Sequence, residues 1–80
     1  MNWFIYIIEA SDSSLYTGIT TNLERRFKQH LAGSGAKYFL GRRPVKFVYT
    51  ENAENRSQAS CREAQIKKLT RDQKLKLIRR

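Results

Sequence analysis

The most constraining feature of this chain is an unbroken run of six apolar and aromatic residues at positions 3–8. Such a run has no polar face, so it predicts a strand that is buried on both sides of a sheet. Turn-forming residues at 11–14 separate it from a second strand at 15–20, and this short connection predicts an antiparallel hairpin. Gly18 in the second strand predicts either a bulge or a close approach to the backbone.

Helical and strand patterns alternate along the rest of the chain. The first helix is predicted to begin at a T-x-x-E capping box, Thr21 to Glu24, and to stop at residues 33–35. Its core-facing stripe has i, i+4, i+8 spacing and consists of Leu23, Phe27 and Leu31. In chain order, the remaining elements are a basic loop at 36–44, a strand at 45–50, a helix from 55 to about 69 and a short helix through 78 that begins at a capping-box-like Thr70. The order β-β-α-β-α-α predicts an α/β (α+β) fold in which one three-stranded antiparallel sheet packs with helices.

Length and charge limit the functions that such a fold can have. Eighty residues predict a single domain, 1–80, with one compact core and no room for a doubly wound nucleotide fold, an eight-fold barrel or a large cofactor cradle. The chain has 16 basic and 7 acidic side chains, and twelve of the basic residues lie within 41–80. This basic half predicts a polyanionic partner, namely DNA, RNA or an anionic membrane surface. The alternative is a soluble protein with many solvated lysines.

Hydropathy and cysteine content indicate a compartment. No apolar stretch approaches the roughly 18–20 residues that cross a bilayer, so no membrane segment is predicted. Cys61 is the only cysteine, which favours a reducing cytoplasm over a secreted, disulfide-bonded domain. With His30 as the only histidine, a Cys/His zinc cluster is excluded.

Polar residues beside the predicted core are candidates for chemistry. Arg26 and His30 lie four residues apart on the first helix, so they share a face at the rim of the core; the alternative is a solvated arginine and a half-buried histidine. Glu63 lies between the inward positions Ala59 and Ile66 of the second helix. A lone carboxylate on a buried face must be paired or must bind a cation. Glu63 is therefore either the partner of an arginine or a ligand for Mg²⁺.

Two tyrosines, Tyr6 and Tyr16, lie on the adjacent predicted strands. Their ordinary role would be packing at the core or its rim, with partners for their hydroxyls. Beside Arg26 and a cation, the pKa of such a phenol would be lowered, which would make it a usable general base.

A basic cluster with interleaved aromatic residues occupies the loop and the strand that follows. Its members are Lys37, Arg42, Arg43 and Lys46. Basic side chains can follow phosphates, and Tyr38 and Phe39 could stack on unpaired bases. The alternative is a solvated loop whose aromatic residues belong to the core. Lys67 and Lys68 extend the positive charge onto the second helix.

Two motifs on the hairpin, Phe4-Ile5-Tyr6 and Tyr16-Thr17-Gly18, are followed in order by Arg26, His30 and Glu63. Over nearly the whole chain, this set resembles the GIY-YIG nuclease superfamily. The basic loop 41–44 and the helix segment 62–68 resemble those of its small stand-alone bacterial members.

The resemblance implies hydrolysis of DNA phosphodiester bonds with one Mg²⁺ or Mn²⁺ ion. It implies that Tyr6 is the base that activates water and that Tyr16 positions water or phosphate. It further implies that Arg26 stabilises charge on the scissile phosphate, that His30 supports the site or relays a proton, and that Glu63 holds the metal. These parts meet the needs of phosphoryl transfer, which are an activated nucleophile and neutralised charge.

The sequence also departs from the family pattern. Phe4 stands in place of the name-giving glycine and Thr17 in place of the isoleucine, whereas Gly18, implied to keep the backbone out of the site, is present. No asparagine follows Asn55, and no additional DNA-targeting domain is expected, which predicts weak, salt-dependent affinity and a targeting partner protein. Two alternatives remain open: a nucleic-acid-binding module without catalysis, and an adaptor whose positive surface docks an acidic protein.

Overall fold

A computed structural model describes residues 2–79. In chain order the elements are β1 (Trp3–Ala10), β2 (Leu15–Thr20), α1 (Leu23–Leu31), a 3₁₀ turn (Lys37–Phe39), β3 (Pro44–Ala53), α2 (Arg56–Lys67) and α3 (Arg71–Ile78). The strands form one antiparallel sheet in the order β2-β1-β3. The predicted α+β fold and its order of elements are confirmed. None of the helices within residues 2–79 has the length and apolar character needed to cross a lipid bilayer.

The central strand β1 is buried on both faces, as predicted, and Ile5, Tyr6, Ile7 and Ile8 have no exposed surface. Alternate residues of a strand point to opposite faces of the sheet. The face formed by Ile5 and Ile7 packs against Ala59 and Ile66 of α2 and Leu77 of α3. The face formed by Tyr6 and Ile8 packs against Leu23 and Phe27 of α1 and Phe39 of the 3₁₀ turn. The two core clusters therefore lie on opposite sides of one sheet.

The predicted capping box of α1 is wrong, because the helix begins one residue later. Asn22 has an extended backbone (φ −144°, ψ 102°), and its side chain accepts a hydrogen bond from the N–H of Arg25 at 2.9 Å. Asparagine caps helices at least as well as threonine, so Asn22 takes the place predicted for Thr21. Glu24 instead pairs with Lys28 at 3.4 Å.

The later helix boundaries are close to those predicted. α2 ends at Lys67, two residues before its predicted end. α3 begins after Thr70, whose hydroxyl accepts from the N–H of Gln73 at 3.2 Å while Gln73 Oε1 accepts from the N–H of Thr70 at 2.9 Å. This capping box is confirmed.

The predicted stripe of α1 is partly wrong. Leu23 and Phe27 pack on the sheet, but Leu31 is 51% exposed and His30 is buried in its place. An α-helix turns about 100° per residue, so a residue seven positions after Leu23 is rotated by only about 20°, whereas one eight positions after it is rotated by about 80°. Helix geometry therefore carries a histidine into the core.

The pairing of β1 with β2 places Gly18 directly opposite Tyr6. A Cβ atom at Gly18 would lie 2.4 Å from Tyr6 Oη, so the glycine leaves room for the phenol to cross β2. Of the two alternatives for Gly18, the close approach is confirmed, because the register shifts of this sheet lie between β1 and β3. The phenol hydroxyl is thereby carried towards the edge of the sheet, since β2 is an edge strand.

Candidate active site

A buried tyrosine–histidine pair forms the centre of the candidate site. Tyr6 Oη lies 2.8 Å from His30 Nε2, and neither side chain is more than 1% exposed. Burial raises the pKa of Tyr6 to about 12, and burial together with the positive charge of Arg26 lowers the pKa of His30 to about 4. Both side chains are therefore neutral near pH 7.

The pKa of Tyr6 is predicted to fall beside Arg26 and a cation, whereas in the protein alone it is raised. Arg26 does lower the pKa of this phenol, but burial raises it more, and the negative charge of Glu63 adds to the rise. The phenol is thus a proton donor or a neutral acceptor in this state. Its use as a base requires additional positive charge at the site.

The environment of His30 favours one tautomer. Its Nδ1 atom is buried and has no hydrogen-bond partner among residues 2–79. An unpaired buried N–H is rarer in proteins than an unpaired acceptor, so the ring proton is best placed on Nε2. In that tautomer Nε2–H donates to Tyr6 Oη, and the hydroxyl proton of Tyr6 points away from the histidine.

Arg26 is held beside this pair by two acceptors. Nη1 donates to Gln29 Oε1 at 3.1 Å, and Nη2 donates to the carbonyl oxygen of Gly35 at 3.2 Å. A Cβ atom at Gly35 would lie 2.4 Å from His30 Nδ1, so this glycine makes room for the imidazole while it anchors the guanidinium. Sequence reasoning missed Gln29 and Gly35. The available signal was the second glycine of 33–35, because Gly33, at φ 79°, is enough to end the helix.

Tyr16 lies beside the pair on the same face of the sheet, since its strand partner is Ile8. Its half-buried ring is 5.5 Å from the His30 ring and 6.3 Å from the Tyr6 ring. The structure therefore brings the two predicted tyrosines together with Arg26 and His30.

Glu63 approaches the site from the other side of the sheet. α2 packs on the Ile5 face, yet the Lys67 ammonium lies 6.0 Å from the centre of the Tyr16 ring, so α2 reaches past the edge formed by β2. Lys67 Nζ is 3.5 Å from Glu63 Oε2, and the charge of Glu63 is close enough to raise the pKa of Tyr6.

Among the arginines within residues 2–79, none pairs with Glu63. The neighbouring Arg62 pairs with Glu51 of β3, with 2.8 Å between Nε and Oε1. The partner of Glu63 is Lys67, one turn further along the same helix. The carboxylate thus lies towards the C-terminal end of α2, which is the end near Tyr16. The predicted pair with an arginine is not found among residues 2–79.

Near the candidate site, α2 offers a single carboxylate, Glu63, to a hard divalent cation. Residues 2–79 contain no group of three or more His, Cys, Asp or Glu side chains placed to hold a metal ion. Mg²⁺ is commonly held by one or two carboxylates, with water and phosphate as its other ligands. The ammonium group of Lys67 stands 3.5 Å from the carboxylate, so it would have to move aside for a cation to bind there.

The basic loop is only partly free to bind a ligand. Arg42 pairs with Asp12 at 2.7 Å and lies 4.2 Å from the centre of the Tyr38 ring, whose hydroxyl bonds to Ser14. Phe39 is buried, so the prediction that it could stack on bases is wrong. The exposed basic positions of the predicted set are Lys37, Arg43, Lys46, Lys67 and Lys68.

The stability of the fold is predicted to fall as the pH drops from 6.5 to about 4 because of His30. Its pKa is lower in the folded than in the unfolded chain, so the unfolded chain binds the proton first and gains stability from it. The expected loss is about 2–3 kcal/mol of unfolding free energy. Urea unfolding at several pH values measures it. His30→Gln, which is neutral and can still reach Tyr6, should flatten this slope, and an unchanged slope would contradict the assignment.

The fold and these residues together indicate the family to which the chain belongs. The sequence model of the GIY-YIG catalytic domain matches residues 2–76, and the chain belongs to the GIY-YIG family, a family of nucleases. The match covers every residue named for the candidate site.

Within the family, the chain is similar to small UPF0213 proteins of bacteria and archaea. It is 59% identical over 75 residues to a UPF0213 protein of Clostridium perfringens, covering 94% of this chain and 81% of that protein. It is 53% identical over 74 residues to one of Haloquadratum walsbyi, covering 92% and 83%.

Two solution NMR structures are also similar. The UPF0213 protein of Bacillus halodurans is 42% identical, with a TM-score of 0.62 and coverage of 98% of this chain and 83% of that chain. A protein of E. faecalis is 41% identical, with a TM-score of 0.68 and coverage of 99% and 84%. Both likenesses extend over the whole fold.

Proposed function

We propose that this protein is a nuclease that hydrolyses phosphodiester bonds of DNA with the help of Mg²⁺ or Mn²⁺. The observation that supports the proposal is the placement of Arg26 and Glu63 near enough to Tyr6, at the edge of β2, for both charges to act on its phenol. These residues come from β1, α1 and α2, and they lie on both faces of the sheet. Purely structural roles would not require a guanidinium and a carboxylate within electrostatic range of one buried phenol.

In this proposal Arg26 binds the reacting phosphate. Two of its nitrogens are already fixed by Gln29 and Gly35, so the guanidinium needs no reorganisation when substrate arrives. A preorganised positive group stabilises the charge that develops on the phosphate oxygens in the transition state. Tyr16, half-buried beside Tyr6, would orient the phosphate or the attacking water.

Tyr6 would first release its hydroxyl proton to solvent, and its Oη would then accept the proton of the attacking water. His30 would donate its Nε2–H to that oxygen, which stabilises the phenolate and fixes its direction. Glu63 would hold the divalent ion, which when bound supplies positive charge for the phosphate and the leaving oxygen. The same positive charge would lower the pKa of Tyr6, whose phenol stays protonated in the protein alone.

The test is conversion of supercoiled plasmid and cleavage of branched DNA by the purified protein in Mg²⁺, in Mn²⁺ and in EDTA. The proposal predicts nicked products with either metal and none in EDTA, because the phenol is protonated without the added charge. Equal product yields in EDTA and in Mg²⁺ would contradict it. Nuclease-free preparations are checked with a heat-inactivated sample.

The high pKa of Tyr6 also favours a second candidate, a module that binds nucleic acid without cleaving it. Binding would then use the exposed basic residues Lys37, Arg43, Lys46 and Lys68, and it would survive both EDTA and the change Glu63→Gln. A mobility-shift assay in EDTA, paired with the cleavage assay, separates the two candidates. Binding without cleavage in any metal supports the second.

A further inference from the structure

We propose that a groove beside Arg26 binds one unpaired nucleotide of a single-stranded nucleic acid, with its base on Trp3 and its phosphate on Arg25 and Arg26. The inference rests on the proposed function for the kind of ligand, and it adds the substrate form. The groove has a volume of about 410 Å³ and runs between the start of β1, the first turns of α1 and the start of α2.

The charge of the groove selects an anion. Three arginines, Arg25, Arg26 and Arg56, line it, together with the neutral polar side chains of Thr21 and Gln29, and its described lining contains no carboxylate. Glu24, the acidic residue nearest in sequence to Arg25 and Arg26, pairs with Lys28. Clustered guanidinium groups without counter-charges are suited to phosphate oxygens.

The geometry of Trp3 selects a base. The indole is only half-buried, and the guanidinium carbon of Arg56 stands 6.0 Å from the ring centre. A flat base between the two planes needs about two van der Waals separations, or about 7 Å. Arg56 is an exposed side chain at the first residue of α2, so it can move outward by the missing distance. Aromatic rings and arginine planes are the usual stacking partners of unpaired bases.

Arg26 links this groove to the candidate active site. It lines the groove, and it is also the residue beside Tyr6 that would hold the reacting phosphate. A nucleotide on Trp3 would therefore lie next to the bond that is cleaved. Bases within a duplex are stacked on their neighbours and cannot enter such a site without being extruded. The groove thus predicts a preference for strands that are single or frayed beside the cleavage position.

Trp3 is the only tryptophan of the chain, so its fluorescence reports directly on this groove. The protein is titrated in EDTA with oligothymidylate, with oligouridylate and with a DNA duplex of the same length. Stacking predicts quenching of Trp3 emission by the single strands at concentrations at which the duplex causes little change. The two single strands distinguish DNA from RNA as the preferred ligand.

Variants separate stacking from a general charge effect. Trp3→Ala should weaken single-strand affinity, measured by anisotropy of a labelled strand, about tenfold, whereas Trp3→Phe should restore most of it. Arg56→Gln removes a charge without touching the core, and it should lower the salt dependence of log affinity by about 0.7. Arg71→Gln, an exposed arginine of α3 outside the groove, should leave the affinity unchanged.

Strand binding without quenching, or with equal losses in Arg56→Gln and Arg71→Gln, would overturn the inference. Because the titration is done in EDTA, it does not depend on cleavage. Quenching with no cleavage in any metal would remove the proposed function and leave the groove as a binding site. Cleavage without quenching would support the proposed function and remove the groove as a binding site.

Discussion

Replacing Arg26 with alanine is expected to lower the rate of phosphodiester cleavage about a thousandfold. The guanidinium is oriented before substrate binds, by Gln29 at 3.1 Å and by the Gly35 carbonyl at 3.2 Å. Its loss also removes a positive charge that lowers the pKa of Tyr6, so the phenol becomes still harder to deprotonate. Single-turnover cleavage of a labelled oligonucleotide measures the effect on the chemical step.

Two further variants serve as comparisons for Arg26→Ala. Arg26→Lys keeps the charge but lacks the planar fork that reaches two acceptors at once, so it should recover only a small part of the rate. Arg71→Ala removes an exposed arginine from α3 and should cleave at the rate of the wild type. Wild-type activity in a folded Arg26→Ala protein would contradict the phosphate-binding role.

Replacing Glu63 with glutamine is expected to lower metal-dependent cleavage by about 10²–10⁴-fold, since several kcal/mol of charge stabilisation depend on the bound ion. The change keeps the size of the side chain and removes the only negative charge that the structure brings close to Tyr6 and Tyr16 from α2. Folding stability should change by less than about 1 kcal/mol, because i, i+4 helix ion pairs contribute little. Cleavage across a Mg²⁺ titration and urea unfolding measure the two effects.

The matched control is Glu24→Gln. Glu24 pairs with Lys28 at 3.4 Å and Glu63 pairs with Lys67 at 3.5 Å, both with i, i+4 spacing. The two substitutions thus break the same kind of contact, one far from the site and one within it. Equal activities of the two variants would remove Glu63 from the proposed chemistry.

The fold was predictable because its strongest signals are local. The apolar run of β1 must be covered on both faces of the sheet. The apolar periodicity of α1, α2 and α3 predicts the helices that cover it. The same local reasoning placed Arg26 and His30 on one helix face. Boundaries were less predictable, because Thr21 and Asn22 are nearly equivalent as caps and only the end of β2 decides between them.

The parts of the candidate site that sequence reasoning missed depend on contacts between distant segments. Gly35 acts through its carbonyl oxygen and through its lack of a side chain. A pattern of residue types shows neither contact. Trp3 and Arg56 are 53 positions apart, and only the fold shows that they face each other. The raised pKa of Tyr6 in the protein alone was not predicted, because the depth of burial cannot be read from charges.

The most direct test of the account is an NMR titration of the labelled protein with Mn²⁺, supported by Mg²⁺ as the diamagnetic ion. If Glu63 holds the ion, signals of Glu63 should broaden first, followed by the Tyr6 ring and the side-chain N–H of Arg26, and Mg²⁺ should shift the same set. Broadening centred on another carboxylate, such as Glu24 or Glu54, with sharp signals at Glu63 and Tyr6, would contradict it.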